Sequence, residues 1–330
     1  MKLFEKHQDI KNIFLFESNI VIEFKDRLEI NFEKVIETQN NDYFTVINNR
    51  LIKRNKECLY IYNGIYFDLI ERGYMAINYI NDELYYCSKP DMEKFLTLCK
   101  VVKKNKEYEF KIDGLNSILF INQKSIIFWD AWDKKQVITV DNEGKFLWNY
   151  KLPEGYKIFL VPQVVEDVLF LKATKEINRY KKVIGLDVKT GKLKWEQNYQ
   201  IPYSTNNITS CINSKNNLCY GYGGDQYQIF NPLIGELVFE KDMSEYYAKG
   251  ISPNVHRNAI YNDKLWFVSG RGEKVKFGAL DIASSEIDFV QDCPLEYDYQ
   301  FGVPVYYKGK LYLFDTGGTL YIFERGEELK

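Results

Sequence analysis

An all-β chain is predicted for these 330 residues by three features: an aromatic-rich composition, a recurring turn phrase, and a second phrase at the same spacing. Aromatic residues make up 16% of the chain, with 26 Tyr and 22 Phe, a bias toward side chains that suit pleated, half-buried surfaces. Ala-rich helical stretches are nearly absent. Hydrophobic residues at 45% can fill a complete core, which disfavours a disordered chain.

The first phrase is a run of alternating apolar residues, an Asp or Asn, a turn closed by Gly, and then a large aromatic. It appears as Val137-Ile-Thr-Val-Asp141-Asn-Glu-Gly144-Lys-Phe-Leu-Trp148 and as Val183-Ile-Gly-Leu-Asp187-Val-Lys-Thr-Gly191-Lys-Leu-Lys-Trp195. A third copy is Tyr227-Gln-Ile-Phe-Asn231-Pro-Leu-Ile-Gly235-Glu-Leu-Val-Phe239. The fourth lacks the glycine: Phe277-Gly-Ala-Leu-Asp281-Ile-Ala-Ser-Ser285-Glu-Ile-Asp-Phe289. The Asp/Asn positions lie 46, 44 and 50 residues apart, the repeat length of propeller blades. Asx side chains bond the local backbone and Gly tolerates positive φ, so each phrase is a strand, a tight turn and a strand. The closing aromatic supplies apolar surface to a core between successive sheets.

The second phrase places turn residues before a short aromatic-aliphatic strand. It occurs at Asn81-Asp-Glu-Leu-Tyr-Tyr, Asn122-Gln-Lys-Ser-Ile-Ile-Phe, Glu166-Asp-Val-Leu-Phe-Leu and Asn216-Asn-Leu-Cys-Tyr. It continues at Asn262-Asp-Lys-Leu-Trp-Phe-Val and Lys308-Gly-Lys-Leu-Tyr-Leu-Phe, with weaker copies at Asn48-Asn-Arg-Leu-Ile and Ser18-Asn-Ile-Val-Ile. The expected architecture is a single β-propeller over residues 1–330, of about seven four-stranded blades, with six and eight as the alternatives. The C-terminal unit ends soon after Tyr321-Ile-Phe and lacks an outermost strand. Closure therefore calls for an N-terminal strand, around 10–16 or 20–24, to complete it. No helix longer than two turns is required, and the segment from Pro90 to Leu98 reads equally well as a helix start or as loop and strand.

Val303-Pro-Val-Tyr-Tyr-Lys-Gly309-Lys-Leu-Tyr-Leu-Phe-Asp315-Thr-Gly-Gly318-Thr-Leu-Tyr-Ile-Phe and the Leu-Asp-x-x-Thr-Gly-Lys-x-x-Trp unit at 186–195 carry a family likeness. They resemble the PQQ-like (pyrroloquinoline-quinone enzyme) propeller repeat, clearly from about residue 120 onward and faintly before it. The quinone-dependent dehydrogenases of that family hold calcium and quinone in the channel and carry an adjacent cysteine pair. This chain has six cysteines, Cys58, Cys87, Cys99, Cys211, Cys219 and Cys293, and no two are adjacent. The resemblance is therefore to the cofactor-free branch, many of whose members are protein-binding scaffolds. No cofactor and no enzymatic activity are expected.

Composition narrows the partners. Lys and Arg total 44 against 46 Asp and Glu, a net charge of -2, so the basic excess of a nucleic-acid binder is missing. The best basic run, Lys100-Val-Val-Lys103-Lys104-Asn-Lys106, reads as solvated strand ends. The N-terminus has neither an apolar signal core nor a small-residue cleavage site. No stretch reaches the roughly 18 apolar residues of a membrane helix. The cysteines form no CxxC pair and read as buried thiols of a reducing compartment. A cytoplasmic protein that binds neither nucleic acid nor membrane is expected.

Candidate functional residues are few. Of the two histidines, His7 falls in a tail or edge strand, whereas His256, with Arg257, sits where an inner strand begins, facing either a ligand or its own loop. Trp129, Asp130, Trp132 and Asp133 place two tryptophans and two acids at a strand end. Trp is favoured at interface hot spots, so the group reads as a recognition surface, or as one inward Trp with acids solvating a turn. Glu296, Asp298, Tyr299 and Gln300 form a second acidic-aromatic loop, expected to share a face with His256 and Gln163. Gly223-Gly224-Asp225-Gln226 reads as a hairpin turn, since a phosphate loop requires a strand-to-helix context. The favoured function is a non-enzymatic protein-binding propeller, in its specific form an intracellular immunity-type inhibitor of a toxin. The alternative is a small-molecule or hydrolytic site in the channel built on His256, Arg257 and Asp298. A third reading, an outer-membrane assembly scaffold, is weakened by the missing export signal and lipid-attachment cysteine.

Overall fold

The structure, a computed structural model, describes residues 1–39, 42–47, 49–55, 58–65, 67–74, 76–80, 84–103, 106–121, 124–159, 161–175, 180–200 and 213–324. Its fold is an eight-bladed β-propeller of four-stranded antiparallel sheets. Eight is the upper of the expected counts, and the blade beyond the expected seven comes from the first third. There the inner strands begin at Ile10, Tyr43 and Ala76, a period of 33 residues. The 44 to 50 residues of the later repeats undercount such short blades.

The chain divides into two compact units, Phe14–Asn198 and Met1–Ile13 with Tyr199–Lys330. The larger unit carries sheets whose strands span 43–72, 76–113, 116–151 and 157–200, together with most of the sheet spanning 10–37. In the sheet of 157–200 the innermost position is split between Lys157–Ile158 and Gln163–Val165, both paired with Val168–Lys175. The segment after Pro90 proves to be a turn between Leu84–Asp91 and Leu96–Lys103. Buried side chains join neighbouring sheets within the unit. Phe16, Leu28, Leu51 and Tyr62 form one such layer, and Tyr86, Val101, Phe128 and Val140 another. Ile127, Trp148, Leu169 and Ile184 form a third.

The smaller unit holds sheets over 213–242 and 259–292, and a last sheet of Val305–Tyr307, Lys310–Phe314, Leu320–Glu324 and Lys2–His7. Lys2 lies opposite Glu324 and His7 opposite Leu320. An N-terminal strand thus completes the last blade, but it is not one of the two expected. Ile10–Phe16 and Asn19–Phe24 are the first two strands of the sheet that follows. The closing strand carries no hydrophobic pattern, because an outermost strand needs no apolar face and residues 2–6 are all exposed. Among the described residues the one α-helix is the short Ser244–Ala248.

The turn phrase works as its chemistry requires. The Asp141 carboxylate accepts from the amides of Glu143 and Lys145, and that of Asp187 from the amides of Lys189 and Thr190 and the Thr190 hydroxyl. Asp281 repeats the pattern with Ala283 and Ser284. The closing aromatics occupy equivalent places: Trp148 opposite Thr139, Phe239 opposite Ile229 and Phe289 opposite Ala279. Each partner lies two residues before the Asx. Trp195 covers the matching residue, Gly185, where any Cβ would fall 2.2 Å from the indole. A β-bulge lies beside each of these three pairs, at Leu147, Val238 and Asp288. Bulges on outermost strands twist them and discourage edge-to-edge pairing. Two turn glycines also seat the preceding blade. A Cβ on Gly191 would meet the Trp148 ring at 2.5 Å, and one on Gly144 would meet Phe110 at 2.4 Å.

The five described cysteines are thiols, four of them buried, while Cys211 lies outside the described residues. Burial pushes the Cys99 thiol up to about 12 and the Cys293 thiol to about 11, so both are poor nucleophiles at neutral pH.

Candidate functional site

The smaller unit gathers most of the candidate residues onto three adjoining loops: 252–258, 270–275 and 293–302. In the first, Asn254 caps a short 3-10 turn, Val255–Arg257, by accepting from the His256 amide at 3.0 Å. Buried Asn258 then anchors the loop by donating to the Tyr222 carbonyl at 2.7 Å. Val255 is buried by this arrangement, His256 is exposed and Arg257 is half-buried. Arg257 Nη1 donates to the Phe301 carbonyl at 2.7 Å, tying this loop to the third.

The middle loop is built by two glycines. Gly270 and Gly272 have φ of +78° and +52°, in the left-handed region that L side chains rarely adopt. Gly272 is buried against the third loop: its amide donates to the Tyr299 carbonyl at 2.7 Å and its own carbonyl accepts from the Leu295 amide at 2.9 Å. A Cβ there would stand 2.4 Å from the Tyr297 carbonyl oxygen, so backbone approaches backbone as only glycine allows. Arg271 and Lys274 are carried outward on this loop.

The third loop is fixed from beneath. The Gln300 amide donates to Thr316 Oγ1 and its carbonyl accepts from the Thr316 amide. The Tyr299 ring covers Gly317, where a Cβ would meet it at 2.3 Å. Tyr299 and Gln300 are thus half-buried supports. Tyr297, its ring 5.4 Å from that of Tyr299, is 79% exposed. Asp298 points outward and pairs with Arg271 Nη1 at 3.3 Å. Arg271, Glu273, Lys274, Tyr297 and Asp298 line an open cleft of about 680 Å³, with Ser252 and Ser269 on its wall. Burial first, and the neighbouring Arg271 charge second, hold the Arg257 guanidinium below the usual arginine range.

His256, Arg257, Asp298, Tyr299 and Gln300 therefore belong to one loop cluster, with Arg271 between Arg257 and Asp298 electrostatically. Arg271 itself was missed by sequence reasoning. Its signal was available: Gly-Arg-Gly at 270–272 lengthens a hairpin that elsewhere closes in two residues, as at Gly224 and Asp225. The glycine-rich segment at 223–226 is that tight hairpin, as expected, with Gly223 opposite Gln226.

The other acidic-aromatic group lies in the larger unit and divides by role. Asp130 is only 8% exposed, and its carboxylate accepts from the amides of Trp132 and Asp133 at 3.0 and 2.9 Å. It caps a turn, as Asp141 and Asp187 do. Trp129 is half-buried against the core of its blade. Asp133 is exposed, 3.9 Å from Lys135, and Trp132 is 63% exposed with its ring edge-on to Phe95. Gln163 also belongs to this unit. Among the described residues no three His, Cys, Asp or Glu side chains converge as a metal site, and no helix is long and apolar enough to cross a membrane.

Residues 116–327 match the family model described as outer membrane protein assembly factor BamB. No curated protein sequence matches the chain. BamB from Moraxella catarrhalis is similar in structure at 11% identity, with 98% of this chain and 99% of that chain covered and a TM-score of 0.59. The computationally designed Ika8 protein is similar at 10% identity, 98% coverage of both chains and a TM-score of 0.59. AztD from Citrobacter koseri is similar at 10% identity, with 86% and 87% covered and a TM-score of 0.54. At such identities the three structures support the fold alone.

Proposed function

The chain belongs to the PQQ-like β-propeller family of the outer membrane protein assembly factor BamB, and from that premise we propose that it is a non-enzymatic, protein-binding propeller. The observation that carries this reading is the loop cluster of the smaller unit. Its backbone is rigidly knit through Gly272, Asn258 and Thr316, while Arg271, Tyr297 and Asp298 are displayed outward. Aromatic and arginine side chains on a preorganised backbone are what interface hot spots are made of, because little entropy is lost when they are engaged. Propeller loops can bury a standard interface of about 800 Å² per partner.

In its finer form the partner is a toxin, and the chain is an immunity-type inhibitor acting in the cytoplasm. A single propeller of degenerate repeats suits this form. The test is affinity capture from the native cells with the wild-type chain, Tyr297→Ala, Arg271→Gln and Trp132→Ala. One stoichiometric protein is expected, lost with the first two variants and retained with the third. Absence of any partner, or its loss only with Trp132→Ala, would contradict the reading. Capture of a secreted or contact-delivered toxin distinguishes the inhibitor from a general scaffold.

A further inference from the structure

We propose that the loop cluster is selective for an acidic segment of its partner, which places carboxylates on Arg257 and Arg271. This rests on the protein-binding reading above and specifies the chemistry of what docks.

Cation pairing across the molecule motivates it. Lys100 is nearly buried and meets both Glu71 and Glu107, and Lys182 meets Glu196. Lys264 meets Asp288, and Lys276 meets Asp292. Arg257, by contrast, is half-buried with no carboxylate within ion-pair distance among the described residues. Its hydrogen bond to the Phe301 carbonyl uses one of the five N–H donors of a guanidinium. A partly desolvated cation without a counter-ion is costly, and Arg271, which pairs with Asp298 three residues from the Phe301 carbonyl that Arg257 bonds, adds a second positive charge to the same loop. Lys274, on the same loop as Arg271, is exposed and likewise forms no ion pair among the described residues.

An incoming acidic segment would give Arg257 the counter-ion it lacks and offer Arg271 a better one than it has. Arginine engages carboxylates through two parallel N–H bonds, and a half-buried site strengthens those bonds relative to open water. Two acids already line the cleft, but Glu273 forms no ion pair among the described residues and Asp298 is poorly placed to do this. Its 3.3 Å contact is single, reaches Arg271 rather than Arg257, and joins two side chains that are 76% and 61% exposed. Asp298 then acts as an internal competitor that the partner displaces, and the adjacent Tyr297 ring offers apolar surface to the same segment.

A fluorescently labelled hexaglutamate peptide, read by anisotropy against the whole chain, tests the proposal, with hexaserine and hexalysine as controls. Binding is expected for hexaglutamate alone, weakening as salt is raised. Arg257→Gln and Arg271→Gln should each weaken it by about 10- to 100-fold, the scale of a charged hydrogen bond. Arg257→Lys should recover only part of that loss, because ammonium lacks the planar fork. Asp298→Asn should tighten binding by about two- to fivefold, the scale of an exposed ion pair removed, and Lys249→Gln, on the short helix, should leave it unchanged. Arg271 is exposed, so its variant keeps the test valid if Arg257→Gln proves unstable. Equal binding of all three peptides, or hexaglutamate binding indifferent to Arg271→Gln, would overturn the proposal. So would weaker binding by Asp298→Asn. Retention of the captured partner by Arg257→Gln together with its loss in Tyr297→Ala would sink the acidic-segment inference and leave the docking face standing.

Discussion

Two loops of this propeller have nearly the same composition and opposite uses for their acids. At 129–133 the sequence offers Trp, Asp, Ala, Trp, Asp; at 296–300 it offers Glu, Tyr, Asp, Tyr, Gln. In the first, Asp130 turns inward and holds its own loop together through the amides of Trp132 and Asp133. In the second, Asp298 turns outward to Arg271, because the loop is already held by Gly272 from one side and Thr316 from the other. An acid is free to turn outward where other groups have satisfied the backbone around it. Where it must satisfy that backbone itself, it is structural.

This contrast can be broken by substitution. The largest effect is expected at Gly272, where alanine would combine an unfavourable φ with a backbone clash. Gly272→Ala should cost about 2–4 kcal/mol in urea unfolding and abolish partner capture, since it holds the recognition loops in place. Asp130→Ala should cost about 1–2 kcal/mol, as loss of a capping carboxylate does, and leave partner capture intact. Asp298→Ala should change stability by no more than about 0.5 kcal/mol. If Asp130→Ala and Asp298→Ala prove equally destabilising, the division between the two loops fails.

The smallest effect concerns acid stability. The Thr190 hydroxyl, aided by local amides, holds the Asp187 carboxyl below the usual range, and the Ser284 amide foremost does the same for Asp281. A carboxyl depressed in the folded state contributes stability that is complete above its unfolded pKa of about 4 and is lost as pH falls through the lower folded value. Asp187→Asn should therefore flatten the fall in stability below about pH 4 and leave the slope above pH 6 unchanged, as followed by urea midpoints across pH.

How much of this was legible in the sequence follows from what each residue does. Strands, turns and closing aromatics were readable wherever Asp141, Asp187, Asn231 and Asp281 marked the period, because turn chemistry is local. The blade count was left between six and eight because that marker is absent from the first third, where the period shrinks to 33 residues. The closing strand Lys2–His7 was invisible because an outer edge imposes no hydrophobic pattern. At the site, Arg257 and Asp298 were noticed as polar residues near inner strands, but Arg271 was not. Its role depends on Gly272 approaching Tyr297, a contact made across 25 residues that no local pattern announces. Conversely, Asp130 read equally as a recognition residue or a turn acid, because composition alone cannot tell a capping acid from a displayed one.

The docking face itself is tested most directly by placing a photo-reactive benzoylphenylalanine at position 297 in one chain and at position 132 in another, then irradiating the native cells. A single protein adduct at 297, absent when Arg271 is also changed to Gln, is the predicted result. An adduct at 132 with none at 297 would contradict it.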